Sequence, residues 1–227
     1  MPTKNTRSRR RSRRRTPLTR ARVLEAAVAL ADEKGLEALS MRRLGAELGV
    51  EAMSLYNHVT DKDDLLDGIV EVVVSGFESP RPLDREDWRA TLRRCAIKAH
   101  EILLRHPWSA ALAESRRQNG PERLTYYDEL LGTLRADGFS DLAAYRANLI
   151  LDSYLYGFTL QEVNWPTADS DPGEMAEAFV DRTPTEAYPN LLAVARLATN
   201  GEMDIAADFE VGLDVVLDAL EAVRDAE

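Results

Sequence analysis

The sequence has little of what disulfide-rich, membrane and zinc-binding proteins need. It contains a single cysteine, Cys95, which excludes an intramolecular disulfide and a cysteine-rich zinc site. No run of about 18 uncharged apolar residues occurs, so we expect neither a transmembrane helix nor a membrane partner. The N-terminus has no apolar core of the kind that a secretory signal requires. These absences together predict a cytoplasmic protein.

Catalytic residues and motifs are also scarce. The chain has three histidines, and it has no G-x-S-x-G, H-E-x-x-H or phosphate-binding P-loop motif. The acidic pair Asp63-Asp64 is explained by the preference for negative charge at the start of a helix. We therefore expect no enzyme, no cofactor and no metal site.

The charges are unevenly distributed along the chain. The net charge is -10, yet residues 1–60 hold 13 Lys and Arg against 6 Asp and Glu, whereas residues 61–227 hold 16 against 33. Such a chain would present its basic end to a polyanion and keep its acidic part away. Residues 1–17 are predicted to form a disordered Arg-rich arm. This arm is interpreted as a solubilising tail, as the product of a misplaced start codon, or as a segment that follows DNA phosphates or enters a minor groove.

The spacing of apolar residues predicts an all-α fold. Helix 1 begins near Thr16 or Thr19 and ends at Gly35, and Ser40 and Asp61 are predicted caps of later helices. The run Val72-Val73-Val74 is compatible with a strand, but its Asp-capped Leu-Leu context favours a helix. The next three helices are predicted over about 41–48, 52–58 and 62–77. After the break at Ser79-Pro80-Arg81-Pro82, helices are predicted over about 84–105, 108–116, 121–137, 140–165, 173–181, 187–199 and 204–224.

Two short amphipathic helices around Gly49 carry the most informative motif. Gly45, four residues earlier, would let the two helices approach, Gly49 would form the turn, and Leu55 would anchor the second helix. This spacing is typical of a helix-turn-helix. We expect a three-helix helix-turn-helix DNA-binding domain over residues 18–78 and a larger helical effector-binding and dimerisation domain over residues 79–227.

A wider stretch resembles the DNA-binding domain of the tetracycline-repressor (TetR) family. It consists of Gly-Val-Glu-Ala-Met-Ser-Leu-Tyr-Asn-His-Val at 49–59, followed by Asp61-Lys62 and Leu65-Leu66. The remainder resembles, more weakly, the tetracycline-repressor-like regulatory domain. That resemblance rests on Gly157-Phe158-Thr159-Leu160, Thr183-Pro184-Thr185 and Phe209-Glu210-x-Gly212-Leu213.

The resemblance implies a set of residues that contact double-stranded DNA. Arg42 would reach a base or a phosphate, and Ala52 and Met53 would touch thymine methyl groups. Alternatives remain open: Arg42 as part of a solvated helix face, Tyr56 as a packed aromatic, and His58 in a backbone or buried role. The predicted DNA-binding residues are Ser40, Arg42, Arg43, Ala52, Met53, Ser54, Tyr56, Asn57, His58 and Lys62.

One such domain covers only half of an operator, so the mechanism requires a homodimer. The last helix and the helix at 140–165 are predicted to form the seam, with ordinary intrachain core as the alternative. The predicted interface residues are Tyr145, Phe209, Gly212, Leu213, Val216, Leu217 and Leu220.

The second domain carries a group of aromatic and polar residues that suits a small amphipathic effector, with core packing as the alternative for each aromatic. The predicted pocket residues are His100, Trp108, Tyr126, Tyr127, Asn148, Asp152, Phe158 and Gln161, and the group extends to Tyr154, Tyr156 and Trp165. Residues 107–120 contain no histidine, which argues against a magnesium–tetracycline effector.

Together these inferences predict a homodimeric repressor that an unidentified small molecule releases from a palindromic operator. The alternatives are a transcriptional activator and a ligand-independent architectural DNA-binding protein.

Overall fold

A computed structural model describes residues 17–116, 120–165, 172–184 and 187–225, with the side chains of residues 172–175 left out. Its described residues form α-helices and one short 3₁₀ turn, and none lies in a strand. This arrangement confirms the predicted all-α class. The Arg-rich arm, except for Pro17, and the alternative helix start at Thr16 lie outside the described residues.

Polar caps fix where the N-terminal helices begin. Thr19 and Ser40 each accept a hydrogen bond from the backbone N–H three residues ahead, and Asp61 accepts one from the N–H of Asp64 at 2.8 Å. These side chains satisfy N–H groups that have no partner within the helix. The resulting helices are α1 (Arg20–Lys34), α2 (Met41–Leu48), α3 (Ala52–Leu55) and α4 (Lys62–Val74).

Two of these helices are shorter than the sequence predicts. After α3, the chain continues as tight turns, with the N–H of His58 donating to Leu55 O at 2.8 Å. The predicted end of α4 at residue 77 is wrong, because Ser75 ends the helix and its hydroxyl donates to Val72 O at 2.7 Å. The three valines before it are helical.

The first four helices pack around a small apolar centre. Val23, Leu44, Leu55 and Leu65 have no exposed surface. Helices of four and eight residues do not persist alone in water, so this shared core with α1 and α4 holds α2 and α3 in place. We call α1–α4 the head.

The remaining helices form a second bundle, which we call the body. They are α5 (Trp88–Arg105), α6 (Ser109–Ser115), α7 (Pro121–Ala136), α8 (Asp141–Val163), α9 (Pro172–Arg182), α10 (Pro189–Thr199) and α11 (Ile205–Asp225). No helix in the described ranges has the length and apolar character needed to cross a bilayer.

The long helices α8 and α11 run antiparallel and in contact. The Tyr154 hydroxyl donates to Phe209 O at 2.8 Å near one end, and the Arg224 guanidinium lies 5.9 Å from the Phe139 ring near the other. Helix α5 is joined to α11 by Arg93, which forms ion pairs with Asp214 and Glu210 at 2.8 and 2.7 Å.

Candidate nucleic-acid interface and regulatory cavity

The turn between α2 and α3 is built around two glycines. Gly49 adopts a left-handed conformation, with φ 67° and ψ 34°, which a residue with a side chain rarely adopts. A Cβ on Gly45 would lie 2.9 Å from Val50 O and 3.2 Å from Ala52 N. Glycine at position 45 therefore lets α2 approach the start of α3 closely, as the helix-turn-helix spacing predicts.

Several predicted DNA-binding side chains are exposed on the head. Met53 is 75% exposed at the second position of α3, and Tyr56 is 45% exposed just after it. Arg42, Asn57 and Lys62 are also exposed. These side chains are therefore accessible to a partner on the surface of the head.

The other predicted positions support this surface or lie at its margin. Ser40 caps α2 with its side chain, and Arg43 is exposed and donates from Nη1 to Ala38 O at 3.3 Å. Ala52, Ser54 and His58 are half-buried.

Arg20 fixes the end of the α3 segment against α4. Its Nη1 donates to His58 O at 2.9 Å and to Asp64 Oδ2 at 2.9 Å. The Arg20 guanidinium lowers the pKa of Asp64 to about 2, so the ion pair persists throughout the neutral range. Sequence reasoning missed this support, because the two residues are 44 positions apart.

Polar contacts tie the head to the body at both ends of α6. At its start, the Trp108 indole N–H donates to Asp32 Oδ1 at 2.7 Å, and His106 Nδ1 lies 2.9 Å from the same oxygen. At its end, Arg116 forms ion pairs with Asp63, at 3.0 Å, and with Asp67, both on α4. These contacts therefore join α6 of the body to α1 and α4 of the head.

A small cavity of about 10 Å³, room for about one water molecule, lies between α4, α7 and α8. It is far smaller than common ligand pockets, which start near 300 Å³, so a ligand would have to open it to enter. Its lining is mostly apolar and aromatic, with one guanidinium and one carboxyl group. The lining residues are Val74, Phe77, Arg123, Tyr126, Tyr127, Asp152, Leu155 and Tyr156.

Three of the eight predicted pocket residues line this cavity, namely Tyr126, Tyr127 and Asp152. His100 and Phe158 instead pack on Phe209, with ring centroids 3.8 and 5.4 Å away. Trp108 lies at the head–body junction, and Gln161 is exposed. Asn148 is half-buried one helical turn before Asp152, and its Oδ1 is buried without a hydrogen-bond partner among the described residues.

Sequence reasoning missed Arg123 as a cavity residue. Its side chain follows Pro121 in the first turn of α7, where a charged residue normally faces solvent. Packing against α6 buries it, and Nη1 donates to Ala113 O at 3.4 Å. Only that tertiary contact distinguishes it from a surface arginine.

Burial changes the acidity of the cavity's polar groups. The Tyr127 hydroxyl donates to Asp152 Oδ2 at 3.0 Å. Burial raises the pKa of Asp152 to about 6 and that of Tyr127 to about 12. The phenol therefore stays protonated at neutral pH and can donate. Within the described residues, no group of three His, Cys, Asp or Glu side chains could hold a metal ion.

The predicted dimer residues fall into two groups. Tyr145 is 58% exposed on α8. The four largest residues predicted on α11 are instead buried in the chain's own core, so the expectation that they face a partner is wrong; they are Phe209, Leu213, Leu217 and Leu220. Val216 is half-buried, and Gly212 lies against Tyr154, whose hydroxyl would clash with any added Cβ.

The free apolar surface lies on another face of the same two helices. Leu142 and Leu149 of α8 are 50% and 53% exposed, and Val211 and Val215 of α11 are each 64% exposed. Leu142, Tyr145 and Leu149 recur at helical spacing along α8, and Val211 and Val215 do so along α11. We call these five residues the apolar strip.

Comparison with known protein families matches both parts of the chain. Residues 23–69 match the family described as "Bacterial regulatory proteins, tetR family". Residues 81–224 match the family described as "Tetracyclin repressor-like, C-terminal domain".

Individual relatives extend over nearly the whole chain. The HTH-type transcriptional repressor DrrR1 of Streptomyces coeruleorubidus is 35% identical over 91% of this chain and 78% of its own length. The structure of ActR from Streptomyces coelicolor in complex with actinorhodin has a TM-score of 0.77 at 28% identity, covering 91% of this chain and 97% of that one. A TetR variant from Acinetobacter baumannii in complex with minocycline has a TM-score of 0.69 at 25% identity, covering 91% and 95%.

Proposed function

Because the chain belongs to the TetR family of bacterial transcriptional regulators, we propose that it represses transcription from a palindromic operator as a homodimer. A small molecule that enters the cavity between α4, α7 and α8 releases it. The observation that carries this proposal is the double role of α4. Its first residue is the exposed Lys62 of the DNA face, and Val74 at its end lines the cavity.

The exposed side chains of the head support separate roles on DNA, some in base contacts and others in phosphate contacts. Met53 would contact thymine methyl groups in the major groove, and Arg42 would hydrogen-bond to a guanine edge. Lys62, at the N-terminus of α4, would bind a phosphate, where the helix end also favours negative charge. The mixture of base and phosphate contacts predicts sequence preference together with strong salt dependence.

The apolar strip supports a two-fold dimer. Two copies of the α8–α11 pair would form a four-helix seam and bury the exposed leucines and valines. Two heads held in this way would reach successive major grooves, with half-sites one helical turn, about 34–36 Å, or a multiple of it apart.

Release would follow from mechanical coupling through α4 and α6. A ligand that widens the cavity would displace the end of α4, which also accepts a hydrogen bond at Glu71 from the N–H of Glu122 at 2.8 Å. Arg116 and Asp32 would carry the displacement to the head. Because binding is reciprocal, the operator would weaken effector binding by the same factor.

The proposal is tested by selecting DNA from a random pool and measuring affinity for the selected and scrambled duplexes by fluorescence anisotropy. We expect a palindromic consensus bound by two copies. Lys62→Ala should weaken binding to both duplexes equally and reduce the salt slope, whereas Arg42→Ala should also reduce the preference for the consensus.

Lys98→Ala is the matched control, since it removes an exposed lysine from the body and should leave both affinities unchanged. A consensus without two-fold symmetry would contradict the dimer. Equal losses on both duplexes for Arg42→Ala would remove its base-reading role.

A further inference from the structure

The chain enters α1 at a fixed place on the head. Leu18 packs against the apolar core, and Thr19 caps α1 by accepting a hydrogen bond from the N–H of Arg22 at 3.3 Å. The Arg22 guanidinium also donates to Pro17 O at 2.8 Å. An apolar residue just before a helix cap fixes the angle at which the chain enters the helix. These contacts therefore hold the point at which residues 1–16 of the Arg-rich arm join the head.

This point lies beside the surface that we propose for DNA. Arg20, the first residue of α1, donates from Nη1 to His58 O at 2.9 Å and forms an ion pair with Asp64 in the first turn of α4. His58 follows the exposed Tyr56 by two residues, and Lys62 begins α4. A duplex held by Tyr56 and Lys62 would therefore pass close to the start of α1.

The segment before this point is strongly basic. Residues 1–16 contain seven Arg, one Lys and no Asp or Glu, and six of the arginines form two runs of three, at 9–11 and 13–15. Sixteen residues span at most about 55 Å, which exceeds one helical turn of DNA, about 34–36 Å. The segment therefore has the charge and the length to contact phosphates beyond those within reach of α3 and α4.

The acidic part of the chain is the alternative partner for this segment. Residues 61–227 hold 33 Asp and Glu against 16 Lys and Arg. Among the acidic side chains of α4, however, Asp64 is paired with Arg20 and Asp67 with Arg116. A DNA duplex carries one negative charge per about 1.7 Å, and cations that bind it gain from the release of counterions. These differences favour DNA as the partner.

We propose that residues 1–16 form a second DNA-binding element, whose arginines bind backbone phosphates of the duplex on which the same head sits. This inference deepens the proposed function, and it rests on that function only in taking α3 and the start of α4 as the DNA-binding surface. Because phosphates carry no sequence information, the segment increases affinity for the operator and for unrelated DNA alike. It thereby holds the protein on unrelated DNA during the search for the operator.

The test compares the full chain with a chain that lacks residues 2–15, on the selected operator duplex and on its scrambled counterpart. Fluorescence anisotropy measures affinity between 50 and 200 mM salt, and each bound phosphate contributes about 0.9 to the slope of log affinity against log salt. If the segment binds about four phosphates, its removal should reduce this slope by about 3.5 on both duplexes. The affinity advantage of the full chain should then shrink roughly 100-fold over this range. An unchanged slope, or tighter binding by the shortened chain, would overturn the proposal.

The far end of the body offers a position for a matched control. Arg224, at the end of α11, lies 5.9 Å from the Phe139 ring, and that ring packs edge-on against Trp88 at the start of α5. The opposite end of α5 is joined to the head, where His106 Nδ1 lies 2.9 Å from Asp32 Oδ1. Because α5 has 18 residues, its ends are about 27 Å apart. A basic segment attached after α11 would therefore use about half of its reach before it met the head.

The control chain carries residues 2–15 at its C-terminus instead of its N-terminus, so its net charge is unchanged. We expect it to keep the reduced salt slope of the shortened chain. Full restoration of the slope would overturn the proposal, because net charge rather than position would then explain the effect. The two proposals can also fail separately. If the slope depends on the segment but selection yields no palindrome, the phosphate-binding role stands and operator repression fails. If two copies bind a palindrome and the shortened chain keeps the full slope, the operator stands and the phosphate-binding role fails.

Discussion

His100 Nε2 lies 3.0 Å from Glu162 Oε2, at the place where α5, α8 and α11 meet. The other ring nitrogen lies 2.9 Å from Thr159 Oγ1, and the Thr159 hydroxyl donates to Leu155 O at 2.7 Å. Because that hydroxyl has one proton, Nδ1 must carry a hydrogen and donate it. Nε2 therefore carries no hydrogen, and neither it nor Glu162 Oε2 has a hydrogen-bond partner among the described residues.

The pKa directions agree with this arrangement. Burial lowers the pKa of His100 to about 4 and raises the pKa of Glu162. The imidazole is thus neutral in the folded chain and stacks on Phe209, with ring centroids 3.8 Å apart. Stacking of the neutral imidazole on Phe209 stabilises the packing of α5 on α11, whereas the sequence pattern placed His100 and Phe158 in a ligand pocket.

We predict that His100→Gln lowers the free energy of unfolding by about 2 kcal/mol at pH 7.5. A histidine whose pKa is lower in the folded chain than the usual 6.5 contributes stability above pH 6.5 and loses it as the pH falls towards 4. The difference between the parent chain and the variant should therefore shrink over that interval, measured by urea unfolding at several pH values. Glu162→Gln is the control, because it keeps the imidazole and its stacking on Phe209, so the loss of stability between pH 6.5 and pH 4 should remain. A difference independent of pH would contradict the neutral imidazole.

The opposite pH dependence is expected at Asp152. Its pKa is raised from 3.8 to about 6, so the folded chain holds a proton more tightly than the unfolded chain, and stability falls as the pH rises through this interval. Asp152→Asn should therefore raise the free energy of unfolding at pH 7.5 by about 1–2 kcal/mol, with no gain near pH 4. Asp152→Ala should gain less, because it leaves the Tyr127 hydroxyl without its acceptor. Thermal unfolding across this pH range measures both effects.

Local chemistry sets most helix boundaries of the body, which the sequence predicts to within about two residues; the exception is the start of α5, predicted at residue 84 and found at Trp88, where Asp87 caps the helix. Ser140 caps α8, and Pro121 and Pro189 stand at the first positions of α7 and α10. These signals lie within a few residues of the boundary they determine, so they are visible in the sequence. The positions of Gly45, Gly49 and Leu55 in the helix-turn-helix were predictable for the same reason.

The surface proposed to face a partner was not predictable from spacing alone, because α11 has two apolar stripes. Phe209, Leu213 and Leu217 form one, and Val211 and Val215 form the other. Periodicity finds both but does not say which packs on α8 and α5. The larger side chains face inward, and that size difference is the signal that sequence reasoning overlooked. Arg123 shows the same limit, since its burial depends on where α6 lies.

The close approach at Gly45 predicts a specific defect in DNA binding. In Gly45→Ala, the new Cβ would lie 2.9 Å from Val50 O, so α3 must move away from α2. We expect a loss of about 1–3 kcal/mol in stability and a loss of operator affinity, measured by thermal unfolding and anisotropy. Gly132→Ala is the control, because nothing lies within 4 Å of the Cβ it would add to α7. It should raise stability by roughly 0.5–1 kcal/mol. Wild-type operator affinity in Gly45→Ala would contradict the role assigned to this contact.

The two stripes of α11 predict different consequences for substitutions two residues apart. Val215 is 64% exposed on the apolar strip, so Val215→Asp should place a charge in the proposed seam and shift the protein to monomers, with little change in monomer folding. Leu217 has no exposed surface in the chain's own core, so Leu217→Ala should lower stability by about 2–5 kcal/mol through the cavity it leaves. Sedimentation velocity at micromolar concentration and urea unfolding separate the two effects. Tyr145→Asp should also shift the protein to monomers, since Tyr145 of α8 belongs to the same apolar strip as Val215 of α11. If Val215→Asp and Tyr145→Asp both sediment as dimers and still bind the palindrome with full affinity, the partner lies on a different face.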